Sequence, residues 1–355
     1  MRVLTSRTAK LATLTGLVAL VLATLVAPAI AAVTITGAGA TFPAPLYYKW
    51  ANDWKSKTGN KVNYQAIGSG GGISAIKAGT VLFGGSDAPL TAGELSSAGL
   101  VQFPTCIGGV VPIVNLPGIG NGKLKLTGPV LAQIYLGEIT MWNAGAIKAI
   151  NPGLKLPATR ILVVHRSDSS GTSWIFTHYL SAVSSTWASK VGADKSVRWP
   201  VGVAGKGNEG VAALVKQSKG RIGYVEYAYS VQSRIPYAQM KNKAGKFVLP
   251  SLSSFSAAAA GASWSAANGF GTILVNAGGN SSWPIAGASF ALVKKSTSNY
   301  ANAHAMFQFF DWAYKNATGR ADATRLQYVS MPLAVVGAVE KVWHAQVKAG
   351  GKPAW

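Results

Sequence analysis

Acidic side chains are scarce in this chain: 11 Asp and Glu stand against 33 Lys and Arg over 355 residues. A hydrolase that works through a metal pair gathers several carboxylates and histidines around one centre. The acids here, and the four histidines at 165, 178, 304 and 344, form no such group in the sequence. No Ser-His-Asp order, Walker lysine or Gly-x-Ser-x-Gly with a triad is present. Cysteine is nearly absent as well. Cys106 stands alone, so no internal disulfide can form, and stability has to come from the core. Its setting, "QFPTCIGGVV", predicts a buried small hydrophobe rather than a reactive thiol. The basic residues occur as singles and as clusters such as "KSK", "KLK" and "KNK", never as a run of five or six. No motif of a nucleic-acid module accompanies them. The expectation is a protein that is not an enzyme, holds no metal or cofactor, and has no nucleic-acid partner.

What remains is ample. Apolar residues make up 49% of a chain long enough for about two domains. Residues 1–31 read as an export segment. Arg2, Arg7 and Lys10 form a positive start, Leu11 to Val26 an apolar stretch short for a membrane span, and Ala29-Ile30-Ala31 a small-residue cleavage site. No Cys lies nearby to carry a lipid. Cleavage near Ala31 lowers the formal charge from +22 to +19 and implies an exported protein. So high a charge attracts anions and would speed their arrival.

Past the export segment, short apolar runs alternate with helical periods. Strands are expected at 61–67, 81–85, 108–115, 160–165, 221–227 and 289–295. Helices are expected at 43–57, 127–136, 172–183, 209–216, 301–316 and 333–349. Such alternation predicts α/β sheets covered on both faces. The Ser, Ala and Gly of 251–269 suggest a loop with a small helix, and no internal repeat is visible.

Three turns share one pattern of a small polar residue, glycine and then a helix: "GAGATFPAP" with Thr41, "IGSGGG" with Ser69, and "SDSSGTS" with Ser170. Helix N-termini leave N–H groups unpaired and attract anions. The same residues could also serve simply as N-caps. Arg166 follows the strand "ILVVH", at the carboxyl end where α/β sheets bind ligands, and a guanidinium there can grip an oxyanion. Asp168, two residues on, could hold that guanidinium in place. One feature runs against an anion site. "FGGSDAPL" sets a carboxylate, Asp87, in a fourth small-residue turn.

The ordered segments "GAGATFPAPLYYKW", "IGSGGGI", "GGSDAPL", "RSDSSGTS", "GKGNEGVAALV", "GRIGYVEYAY" and "FFDWAYK" resemble the substrate-binding proteins of bacterial phosphate ABC transporters, the PstS family. The likeness runs from about Thr34 to the final "GKPAW". It implies a two-lobed periplasmic binding protein of the type II-like α/β class, each lobe a mixed sheet flanked by helices, with phosphate in the cleft. It also implies a monomer that delivers inorganic phosphate to membrane permease subunits. Both chain ends would build lobe one, 32–106 with 285–355, and 107–284 would form lobe two. Carried over by position, the phosphate contacts are Thr41, Phe42 (through its N–H), Ser69, Asp87, Arg166, Ser170, Gly171 and Thr172. Asp168 orients Arg166. Gly70, Ser169 and His165 depart from the family's pattern. An exported scavenger or sensor uncoupled from transport is the competing reading.

Chemistry then accounts for Asp87. Phosphate near neutral pH keeps at least one proton, and sulfate keeps none. An ionised Asp87 accepts a short charge-assisted hydrogen bond from P–OH but faces only repulsion from a bare sulfate oxygen.

Overall fold

The computed structural model describes residues 32–355; the expected export segment and its cleavage point lie outside them. Eleven strands matter for the site and its surroundings. They are β1 (Thr34–Gly39), β2 (Lys61–Ala66), β3 (Phe83–Ser86), β4 (Leu100–Val114), β5 (Lys125–Leu126) and β6 (Leu162–Arg166). After them come β7 (Val203–Gly205), β8 (Arg221–Glu226), β9 (Gln239–Lys241), β10 (Phe247–Val248) and β11 (Ala286–Lys294).

The architecture is two-domain α/β, with mixed pairing and helices on the sheet faces, as expected. One path of hydrogen-bonded strands runs β2-β1-β3-β11-β4-β8-β6-β7, and Val329–Ser330 pairs with β4 off that path. Parallel pairs (β1 with β2 and β3, β6 with β7 and β8) bracket the antiparallel run from β3 through β11 and β4 to β8. A smaller sheet, β10-β9-β5, stands apart.

β4 corrects the expected strand at 108–115. It is 15 residues long, buried throughout, and begins at Leu100. Pro104 hid its first half, because proline lacks the N–H that a central ladder needs. The chain accommodates it with a bulge: the register with β11 passes from Ser289↔Cys106 to Phe290↔Pro104, so Thr105 is the extra residue. The Thr105 hydroxyl then serves packing, 2.7 Å from the Tyr47 hydroxyl and 3.1 Å from Ser289 O. β1 was also absent from the expected strands, since "TITGAG" has little apolar content. The 251–269 segment holds the helix Leu252–Ala259 and a 3-10 turn at Ala266–Asn268.

Two groups of rings flank β4 within one continuous hydrophobic core. Tyr47, Phe83, Phe103, Phe310 and Trp343 meet edge-to-face on one side. On the other, Phe176 stacks on Tyr224 with ring centroids 4.2 Å apart, and Tyr135 and Trp199 close around them. Cys106 is fully buried in the core. Buried rings do the work that disulfides do elsewhere; truncating one to Ala typically costs about 3–5 kcal/mol. The first group draws on both chain ends, and the indole N–H of Trp50 donates to Gly319 O at 2.8 Å.

Candidate functional site

Of the three turn residues that could have been N-caps, only Ser170 is one. Its hydroxyl accepts from Ser173 N at 3.0 Å and starts the helix Gly171–Val183. Pro43 occupies the N-cap position of the helix Ala44–Thr58, so Thr41 lies before it. Ser69 is the first residue of the helix Ser69–Ala78, preceded by Gly68. The Thr41 and Ser69 side chains are thereby available for other work, although both are buried.

Hydrogen bonds hold the expected residues in several small sets around Asp87 and Arg166. Ser69 Oγ accepts from Asp87 N at 3.1 Å and from Gly171 N at 3.0 Å. A methyl group on Gly171 would sit 2.4 Å from Ser69 Oγ and 2.5 Å from Asp87 Oδ2, so only glycine fits there. Thr172 follows, and its hydroxyl accepts from the Asn208 amide at 3.2 Å, while the same amide donates to Thr41 Oγ1 at 2.8 Å. Gly207 N donates to Asp168 Oδ1 at 3.0 Å. Asp168 in turn grips Arg166 with both oxygens, Nε–Oδ1 at 2.8 Å and Nη2–Oδ2 at 2.5 Å. Phe42 is held through its carbonyl, which accepts from the Tyr328 hydroxyl at 2.7 Å. Two of the positions that depart from the family pattern turn out to be partners: Gly70 N donates to Ser169 O at 3.0 Å, and a side chain at 70 would strike Ser169 Oγ at 2.4 Å.

Two atoms stand out. Asp87 Oδ1 accepts from Ser289 Oγ at 2.8 Å, but Oδ2 is buried with no partner. Arg166 Nη1 is buried with no partner as well. A charged acceptor and a charged donor, both shielded from water, are costly to leave unpaired. Burial raises the Asp87 carboxyl to about 7, against smaller opposing pulls from Ser289, the Arg166 charge and Ser69. Burial pushes Asp168 the same way, but its bonds to Arg166 and the Arg166 charge outweigh that and hold it below its usual value. His165 is turned to other use. Its ring stacks on Trp199, with centroids 5.0 Å apart, and Nδ1 lies 3.1 Å from Arg166 O. Burial lowers its pKa, which favours the neutral form of the stacked ring.

Four supporting residues were not foreseen: Asn208, Ser289, Tyr224 and Glu226. Asn208 follows Gly207, whose φ of +70° turns the chain into a helix, so the "GKGNEG" glycines were its signal. Ser289 gave none, being one serine in an apolar strand. Tyr224 OH accepts from Arg166 N at 3.2 Å and lies 2.6 Å from Ser173 Oγ.

Glu226 is fully buried. The Tyr328 hydroxyl lies 2.7 Å from both Glu226 Oε2 and Phe42 O, yet it has one hydrogen to give. If that hydrogen goes to Phe42 O, Glu226 has to supply its own proton to Tyr328. Burial agrees, pushing the Glu226 carboxyl well above its usual value. Tyr328→Phe removes the shared hydroxyl, leaving Phe42 O without this donor and Glu226 Oε2 with only Ala228 N. It should lower stability by about 2–3 kcal/mol, read from denaturant unfolding.

Comparisons with known proteins bear on the family and the fold. A family model described as a PBP superfamily domain matches residues 26–317. The phosphate-binding protein PstS of Xylella fastidiosa is 52% identical over 316 residues, covering 89% of this chain and 86% of that protein. Its namesake from Pasteurella multocida is 53% identical over 323 residues, 91% and 93% of the two chains. Among solved structures, a phosphate-binding protein from Stenotrophomonas maltophilia superposes with a TM-score of 0.68 at 22% identity, covering 91% of this chain and 98% of that one. That likeness speaks for the fold. Half the residues shared over nine-tenths of the length speaks for descent, and the chain belongs to the PstS family of phosphate-binding proteins.

Proposed function

We propose that this protein binds one inorganic phosphate between its two lobes in the periplasm and hands it to the permease of an ABC importer. The observation that carries the reading is the pair of buried, unpartnered atoms, Asp87 Oδ2 and Arg166 Nη1, beside the capped N-terminus of the helix Gly171–Val183. A protonated oxyanion satisfies both at once, its P–OH donating to Asp87 and an unprotonated oxygen accepting from Arg166. The remaining oxygens fall to Thr41, the Phe42 N–H, Ser69, Ser170, Gly171 and Thr172, while Asp168 fixes the guanidinium. The relatives named above bind phosphate by name, and a Clostridium perfringens relative of the same fold was solved with phosphate bound (TM-score 0.61, 18% identity).

The lobes of this reading are 32–106 with 285–355, and 107–284. Bonds such as Ser69–Gly171, Gly70–Ser169 and Thr41–Asn208 then run from lobe to lobe, which makes the described arrangement the closed one. The chemistry is binding without turnover. The test is calorimetric titration of anion-stripped protein with phosphate and then sulfate. Tight phosphate binding with sulfate silent is expected; equal binding of the two ions, or of neither, overturns the reading.

A further inference from the structure

The large positive charge plays no part in the bonds around Asp87 and Arg166, and it is not evenly balanced along the chain. Two long stretches contain no Asp or Glu at all, 95–137 and 227–310. The fold brings these two stretches together in one small sheet, β10-β9-β5. Its register sorts the side chains. Leu126 pairs with Met240, and Met240 with Val248; Leu126 and Met240 are fully buried and mark the inner face. Lys125, Gln239, Lys241 and Phe247 therefore share the outer face. Lys125 Nζ lies 5.3 Å over the Phe247 ring. Lys243 and Lys246 stand exposed in the turn between β9 and β10, and Lys123 is exposed just ahead of β5. None of these five lysines takes part in an ion pair among the described residues, whereas Lys49, Lys195 and Lys315 elsewhere do. At the rim, Leu249 is 48% exposed and leans over Gly122.

We propose that this face docks on the surface of an anionic lipid bilayer. Lysines grouped around an exposed leucine suit a headgroup layer: ammonium groups meet lipid phosphates, and Leu249 reaches the acyl boundary. The face does not suit a nucleic acid. Its single outer aromatic is already covered by Lys125, which leaves no platform for a base, and strands of two and three residues are too short to enter a groove. Docking there would be electrostatic, reversible and weakened by salt.

The test is co-sedimentation with vesicles of phosphatidylglycerol and phosphatidylcholine, against phosphatidylcholine alone, at low and at physiological salt. The protein used begins at residue 32, since that portion holds every element and the whole core described above. Binding to the anionic vesicles alone, lost as salt rises, is expected. A variant with Lys241→Ser, Lys243→Ser and Lys246→Ser should lose roughly a hundredfold in partitioning at low salt, at about fivefold per lysine. A control of equal charge drawn from other exposed sites, Lys61→Ser, Lys190→Ser and Lys219→Ser, should stay within about threefold of wild type. An unchanged thermal transition shows that each variant is folded. Equal losses in both variants would mean that net charge acts without a docking face, and would overturn the proposal. Failure to bind anionic vesicles would overturn it too, as would a DNA duplex that binds through the same three lysines and displaces the vesicles.

Discussion

Asp87→Asn should collapse the preference for phosphate over sulfate by two orders of magnitude or more. In the native protein an ionised carboxylate meets a bare sulfate oxygen, and two unit charges about 4 Å apart repel by roughly 4 kcal/mol at an effective dielectric of 20. With the unpaired acceptor added, discrimination of about 10⁴–10⁵ is within reach of a site that demands a hydrogen bond. The amide removes the repulsion and offers an N–H, so sulfate gains. Phosphate loses a charge-assisted bond worth about 1.5–3 kcal/mol and binds some ten- to a hundredfold more weakly. Calorimetry on both proteins with both ions reads the change, and an unaltered selectivity ratio would remove Asp87 from the site.

The same residue sets a pH dependence whose sign can be worked out. Asp87 titrates at about 7 in the folded protein against an ordinary 3.8, chiefly because it is buried. A raised carboxyl favours the fold while protonated; that contribution is complete below about pH 4 and is lost as pH climbs to about 7. Above neutrality the ionised form costs the anion-free protein roughly 4 kcal/mol. Asp87→Asn should therefore unfold at a higher temperature than wild type at pH 8, with the gap closing toward pH 4. The asparagine variant should lack this pH dependence of stability.

Replacing Arg166 carries the second large effect. Its guanidinium spends Nε and Nη2 on Asp168 and leaves Nη1 unpaired, the atom proposed to meet the oxyanion, a division that only a planar fork allows. Arg166→Ala should weaken phosphate binding by about a thousandfold or more. It should also destabilise the protein by about 3–5 kcal/mol, because Asp168 and Asp87 lose their cation in a buried site. Arg166→Lys keeps the charge without the fork, and should lose about a hundredfold in affinity with a smaller stability deficit. Equal affinity for the lysine variant and wild type would mean that Nη1 makes no contact with the anion.

Much of this was legible before any coordinates. Turn chemistry is local, so "SDSSGTS" announced a capped helix opening at Gly171, and the apolar run before Arg166 placed that side chain at the carboxyl end of a strand. What escaped was non-local. Pro104 argued against a strand that a bulge at Thr105 makes possible, and the bulge exists only because β11 arrives from about 185 residues away to pair there. Ser289 and Asn208 donate to Asp87 and Thr41 across separations of 202 and 167 residues, and neither residue type carries a signal for such a role. The hydroxyl of Tyr328 that Glu226 and Phe42 share joins residues 102 and 286 positions apart from it, which no sequence pattern encodes.

The insertion of β11 between β3 and β4 has a consequence for biogenesis. A chain emerging from its amino end delivers β1 to β4 early, but β3 and β4 are not neighbours in the sheet. Their shared neighbour emerges only with the last fifth of the chain, and it brings Ser289, the hydroxyl that holds Asp87. Pairings of such long range are slow to form. The pocket around Asp87, proposed to read the proton on the anion, thus stays incomplete until the last fifth of the chain has emerged. On that proposal, a chain still emerging cannot hold the anion, and only the finished protein can begin to compete for it.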